Sequence, residues 1–123
     1  MLEVALIIPV FLALIFGIME FSYAATQNAE VRHAAEEGAR AAAVGNNVSA
    51  AVCGSMVVVN GATYAIAAAP GGGLPDGETV QNLVVTAGYR SLTGLIPESW
   101  TLSAESSIYV EPAGLPLPGG GPC

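Results

Sequence analysis

Glu3-Val4-Ala5-Leu6-Ile7-Ile8-Pro9-Val10-Phe11-Leu12-Ala13-Leu14-Ile15-Phe16-Gly17-Ile18-Met19-Glu20 is the stretch that decides the fold. From Val4 to Met19 it carries no charge and no strongly polar side chain. Continued through Glu20 to Phe21–Ala25, it reaches the roughly 20 residues with which a helix crosses a bilayer. A secretory signal would place a positive segment before its apolar core and a small-residue cleavage site after it. Here an acid, Glu3, leads, and the helical pattern runs on beyond the core. Two residues interrupt the stretch. Pro9 removes one backbone hydrogen bond and crowds the preceding turn, so a kink or local unwinding is expected there. Gly17 is a second, weaker point.

Working outward, Ser22–Val44 is alanine-rich with interleaved charges: Glu30, Arg32, His33, Glu36, Glu37 and Arg40. Arg32 with Glu36, His33 with Glu37, and Glu36 with Arg40 stand four apart and share helical faces. Ala25, Ala29, Arg32, Ala35, Ala39 and Ala42 form a mostly small ridge that permits close helix approach. Gly45-Asn46-Asn47 is the first stop signal. An unbroken helix from Leu2 to Val44 would be on the order of 65 Å long at ~1.5 Å per residue. A small domain cannot bury such a rod; a membrane, a partner bundle or both must.

Beyond Gly45 the period changes. Val48–Gly54 reads as a short helix carrying Cys53. Met56–Val59, then Asn60-Gly61, then Ala62–Ala69 reads as a hairpin, because Asn-Gly between β-prone runs is a strong turn signal. Pro70–Gly77 has loop composition. Thr79–Arg90 reads as a strand with Leu83, Val85 and Ala87 on one face. Trp100–Glu111 alternates as a half-buried strand, with Leu102, Ala104, Ser106, Ile108 and Val110 turned one way. Pro112–Cys123 is Pro/Gly-rich and irregular. The fold expected is α+β: a long N-terminal helix over 1–45, apolar over 1–25 and amphipathic over 26–45, then a small antiparallel β-sheet head over 46–123. So small a head gains from packing on the rod and from a staple. Two cysteines, Cys53 and Cys123, in a chain exported past a membrane suggest a disulfide, with two free thiols as the alternative.

Composition excludes several functions. The chain has 123 residues and a net charge of −7, with Arg32, Arg40 and Arg90 as its only Lys or Arg side chains. No basic patch exists to neutralise nucleic-acid phosphates or to dock on anionic lipid by charge. His33, the single histidine, lies on a charged helical face and reads as solvated or ion-paired. The acids show no metal-ligand spacing. Gly71-Gly72-Gly73 lacks the lysine of a phosphate loop. No catalytic, metal or cofactor site is expected, and no enzymatic activity. Tyr89, Trp100 and Tyr109 are expected to pack in the core or on the sheet.

Three stretches resemble the TadE-like pilins of the tight-adherence (Flp) branch of type IV pilus machinery. The first is Glu3–Val10 continuing to Gly17-Ile18-Met19-Glu20-Phe21. The second is Ala34-Ala35-Glu36-Glu37-Gly38-Ala39-Arg40-Ala41-Ala42-Ala43-Val44-Gly45. The third comprises Val84–Tyr89, Leu92-Thr93, Leu95 and Leu102–Ser106. The resemblance implies a subunit whose leader is trimmed by a prepilin peptidase, which waits in the inner membrane, and which an assembly platform draws into an extracellular pilus on the bacterial surface. Its partners would be copies of itself or other pilins, with Val4, Leu6, Ile7, Ile8, Val10, Phe11, Leu14, Ile15 and Ile18 packing the filament core. Glu3 would pair with the N-terminal amine at Met1 of its own chain or a neighbour's. Independently, a carboxylate leading an apolar helix needs a partner once lipid is gone; solvation by headgroups is the alternative. Type IV pilins usually place this acid at the fifth mature position, whereas here it is third, as expected of a chain already processed with an unusual cut or of a start placed inside a longer one. Two other roles stay open: a minor pilin that primes or tips a filament of another subunit, and a membrane-anchored binding head that does not polymerise.

Overall fold

The computed structural model describes residues 2–59, 61–73, 79–94, 96–97, 99–110 and 119–123. Helix α1 spans Leu2–Ala43 without interruption. It stays helical across Pro9 and Gly17, so the local unwinding expected at Pro9 does not occur. Proline's fixed φ is already helical, and its cost is confined to one lost bond and one crowded carbonyl. α1 ends where the alanine run meets Gly45, whose φ is 71°. Asn46 N donates to Ala41 O at 2.8 Å and Gly45 N to Ala42 O at 3.1 Å, closing the last turn with a left-handed glycine. Asn47 then caps α2, Val48–Gly54, by accepting from Ala50 N at 3.1 Å.

Four antiparallel strands follow: β1 (Thr63–Gly73), β2 (Thr79–Gly88), β3 (Thr101–Val110) and β4 (Gly120–Pro122), in spatial order β3-β2-β1-β4. The β2–β3 register is unbroken from Thr79↔Val110 to Gly88↔Thr101. The β1–β2 register runs from Thr63↔Thr86 to Ala68↔Gln81 and shifts before Gly73↔Thr79.

Three expectations need correction. Met56–Val59 is not a strand, so the Asn-Gly hairpin is absent from the described residues; Asn60 itself lies outside them. The main-chain donors of Val57 and Val58 go to the Glu30 carboxylate rather than to a ladder. Second, Pro70–Gly73 belongs to β1 instead of a loop, while 74–77 lie outside the described residues. Among the described residues β4 pairs with Thr63, Tyr64 and Ala65 of β1. Third, the tail is not irregular throughout. Gly120 approaches the backbone of Tyr64 and Ala65 so closely that a Cβ would strike it, and its φ is 122°. Glycine is what lets β4 close the sheet. Cys123 N donates to Ala62 O at 2.8 Å, and Cys123 is disulfide-bonded to Cys53 of α2.

The core lies between the C-terminal half of α1, α2 and one face of the sheet. Val31, Ala34, Ala35, Ala39 and Ala42 meet Val48 and Val52 of α2, Leu83, Val85 and Ala87 of β2, Ile108 of β3 and Tyr64 of β1. The upper half of the small ridge therefore serves packing within the chain, whereas Ala25 and Ala29 stay exposed. Gly38 marks the closest approach: a Cβ there would lie 2.5 Å from both Leu83 Cδ2 and Val52 Cγ2. Among the described residues the ion pair formed on α1 is Arg40–Glu37 at 3.1 Å, three apart. The four-apart pairs do not form. Exposed pairs of this kind contribute only about 0.3–0.5 kcal/mol, too little to select among them.

Candidate functional site

Ahead of Glu20, α1 forms an arm whose side chains are exposed among the described residues. From Glu3 to Met19 every residue is exposed except Ile15, which is half-buried. Leu6 is 71% exposed, Val10 67% and Phe11 60%. The arm is apolar on all sides, a pattern found in helices buried in a bundle or in lipid. Each such side chain is worth about 1.5–3 kcal/mol on burial. Summed along the arm, that exceeds the ~5–15 kcal/mol that stabilises an ordinary domain. An arm of this length and composition is compatible with membrane anchoring.

The arm ends sharply at Glu20, which is only 3% exposed. Its Oε1 accepts from Tyr89 Oη at 2.7 Å, Ser91 Oγ at 2.6 Å and Leu92 N at 3.2 Å. Its Oε2 accepts from Thr93 N at 2.9 Å and Thr93 Oγ1 at 2.8 Å. Ser91 Oγ in turn accepts from Gly94 N at 2.8 Å. The segment after β2 thus forms a collar on the helix at this level. The carboxyl is held down at about 2 from an ordinary 4.5, chiefly by the Ser91 hydroxyl and further by Tyr89 and Thr93, with burial working against them. Burial and the bond to Glu20 push the Tyr89 phenol up to about 12. The apolar run Val4–Met19 is thus followed by a buried, hydrogen-bonded acid.

Two further side chains on the same helix fasten the head. Gln27 is fully buried; its Nε2 donates to Arg90 O at 2.8 Å and its Oε1 accepts from Arg90 N at 2.9 Å. The amide satisfies both main-chain groups of one residue, as a neighbouring strand would. One turn on, Glu30 Oε1 accepts from Val57 N at 3.2 Å, and both of its oxygens accept from Val58 N at 3.1 Å. Glu20 and Gln27 are seven apart, two turns along one face.

The residues singled out from sequence fall as follows. Val4, Leu6, Ile7, Ile8, Val10, Phe11, Leu14 and Ile18 are exposed on the arm, with Ile15 half-buried among them. Glu3 is exposed at its tip; Met1 lies outside the described residues. Tyr89 is buried, but Trp100 and Tyr109 are 61% and 69% exposed, contrary to the packing expected of them. Trp100 stands just before β3 and lines a groove together with Phe21, Ala24 and Leu102. His33 is exposed. Among the described residues no cluster of His, Cys, Asp or Glu could hold a metal ion. Sequence reasoning missed Glu20, Gln27 and Glu30 as anchors. The available signal was a polar residue on the face that also carries the buried Val31, Ala34 and Ala35.

Residues 1–40 match the family model described as TadE-like protein. The match covers the first of the three stretches of resemblance and the opening of the second. It points to a pilus-associated chain. No curated protein and no solved structure matches the chain.

Proposed function

We propose, from the TadE-like match over residues 1–40, that this chain is a structural pilin subunit that polymerises through its arm into an extracellular Tad-type pilus for surface attachment. The observation that carries the reading is the exposed apolar arm beside a head clamped to α1 from Glu20 onward. Before assembly the arm Val4–Met19 sits in the inner membrane. In the filament it leaves lipid and is buried against the same surface of neighbouring copies or sister pilins, while the heads face outward. No catalysis is involved. The subunit's work is done by burial, and its partners are other pilins, the assembly platform and the prepilin peptidase.

Glu3 is the assembly residue in this reading. At the tip of the arm, its carboxylate pairs with an N-terminal amine at Met1, which removes an unpaired charge from the filament core. Glu3→Ala is expected to leave the chain in the membrane fraction while surface fibres become scarce or short. Fibres of normal number and length from Glu3→Ala cells would refute the pairing role.

A further inference from the structure

We infer that the end of the head around Glu20 is a lipid-seating surface: Phe21, Leu92 and Trp100 enter the headgroup–acyl boundary of a phospholipid bilayer while the arm spans it. The inference rests on reading the arm as a membrane anchor before assembly.

Position is the first argument. Glu20 binds the main-chain N–H groups of Leu92 and Thr93, so these residues lie level with the helix turn directly above Met19. Trp100 is tied to the same level, because Tyr89 N donates to Trp100 O at 2.8 Å while the Tyr89 hydroxyl bonds Glu20. The second argument is exposure and continuity. Phe21 is 75%, Trp100 61% and Leu92 53% exposed. Phe21 and Trp100 share a mostly apolar groove with Ala24, Ala25, Ile96 and Leu102, to which Asn28 and Arg32 also contribute. This surface continues the apolar surface of the arm. Among the described residues the acid at the junction, Glu20, is already saturated by five donors.

Composition is the third argument. Large aromatics are the side chains that settle at the membrane interface, with an apolar body in the acyl boundary. The charged side chains of 89–100 are Arg90, which is exposed and long enough to reach toward phosphate, and Glu98, which lies outside the described residues. Length is the fourth. Val4–Met19 extends about 24 Å at ~1.5 Å per residue, against a hydrocarbon core of ~30 Å. A span that is too short draws its flanks toward the lipid. Here the flank is the collar, and Glu20, locked to it, cannot move into the hydrocarbon without bringing the head along.

The full-length chain, reconstituted at high dilution in phosphatidylcholine vesicles, tests this with its single tryptophan as reporter. Lipids brominated near the carbonyl end or near the bilayer centre act as depth-dependent quenchers. A second chain, Phe11→Trp with Trp100→Phe, reports the arm; both positions are exposed, so the exchange disturbs no core. The expected result is a blue shift of Trp100 emission, with more loss from the shallow bromines than from the central ones, and the reverse order for the Phe11→Trp reporter. Deep quenching at position 11 with Trp100 unquenched and water-like would overturn the collar and leave the arm reading intact. Absence of quenching at both positions would overturn the anchor reading and the collar with it. Shielding of Trp100 that depends on the protein-to-lipid ratio, without bromine quenching, would assign the groove to a second copy of the chain and overturn the lipid assignment.

Discussion

Gly38→Ala sets two known effects against each other at one position. Glycine inside a helix costs about 0.5–1 kcal/mol relative to alanine, so local propensity alone makes the substitution stabilising. Packing says the opposite. The new methyl would lie 2.5 Å from Leu83 Cδ2 and 2.5 Å from Val52 Cγ2, where carbon atoms prefer ~3.5–4.0 Å. Both neighbours must retreat by about 1 Å or more to restore that separation. Neither has room, since both are fully buried in the same cluster. Overpacking of this kind costs ~1–3 kcal/mol, against a propensity gain of about 0.5–1 kcal/mol, which leaves a net loss of up to about 2.5 kcal/mol. In a domain of this size each kcal/mol moves Tm by about 4–8 °C. Thermal unfolding of the full chain in detergent micelles, followed by near-ultraviolet circular dichroism, should therefore show a clear fall. Gly54→Ala is the control, because a Cβ there meets nothing within 4 Å; its Tm should hold or rise slightly. Combining Gly38→Ala with Leu83→Ala should give less than the sum of the two losses, as expected for side chains in contact. A Tm for Gly38→Ala at or above that of the parent would refute the closure of α1 on β2 and α2.

Other expectations follow from the same contacts. Glu20 has a folded-state value of about 2 against an ordinary 4.5, so in that window the unfolded chain binds more protons and stability rises with pH. Its contribution is full above pH 4.5 and is lost as pH falls toward 2, and an unfolding-midpoint titration should lose that slope in Glu20→Gln. Gln27→Ala removes the partners of the Arg90 N–H and C=O; hydrogen exchange at the Arg90 amide should accelerate, while a rate equal to the parent's would remove Gln27 as an anchor. Replacing both Cys53 and Cys123 with serine frees β4 from α2 and should cost about 2–5 kcal/mol, read by urea unfolding; an unchanged midpoint would show that β4 is held by its ladder alone.

The long helix, the apolar arm and strands β2 and β3 were readable because each depends on a sequence pattern. Val4–Met19 is apolar at every position, and Leu83, Val85 and Ala87 recur at period two on the buried face of β2. The hairpin at Asn60-Gly61 was misread because a local turn signal cannot register a distant competitor: Glu30, 27 and 28 positions away, takes the donors of Val57 and Val58. The same reason hid the collar. Glu20 looked like an acid tolerated in a membrane span, and only the loop from Tyr89 to Thr93, some 70 positions away, turns it into a clamp. Strand β4 was hidden by composition, since Pro and Gly usually mark irregular chain; here Gly120 pairs because it has no Cβ to meet Tyr64. Trp100 was assigned to packing by its size, yet it is 61% exposed.

Electron cryo-microscopy of surface fibres from cells that make this chain tests the central claim most directly. The account predicts a helical lattice of this subunit in which Val4–Met19 of every copy is enclosed by neighbouring arms and the four-stranded heads form the outer wall. Fibres built without this chain, with the chain itself recovered only as a bilayer-embedded monomer, would contradict it.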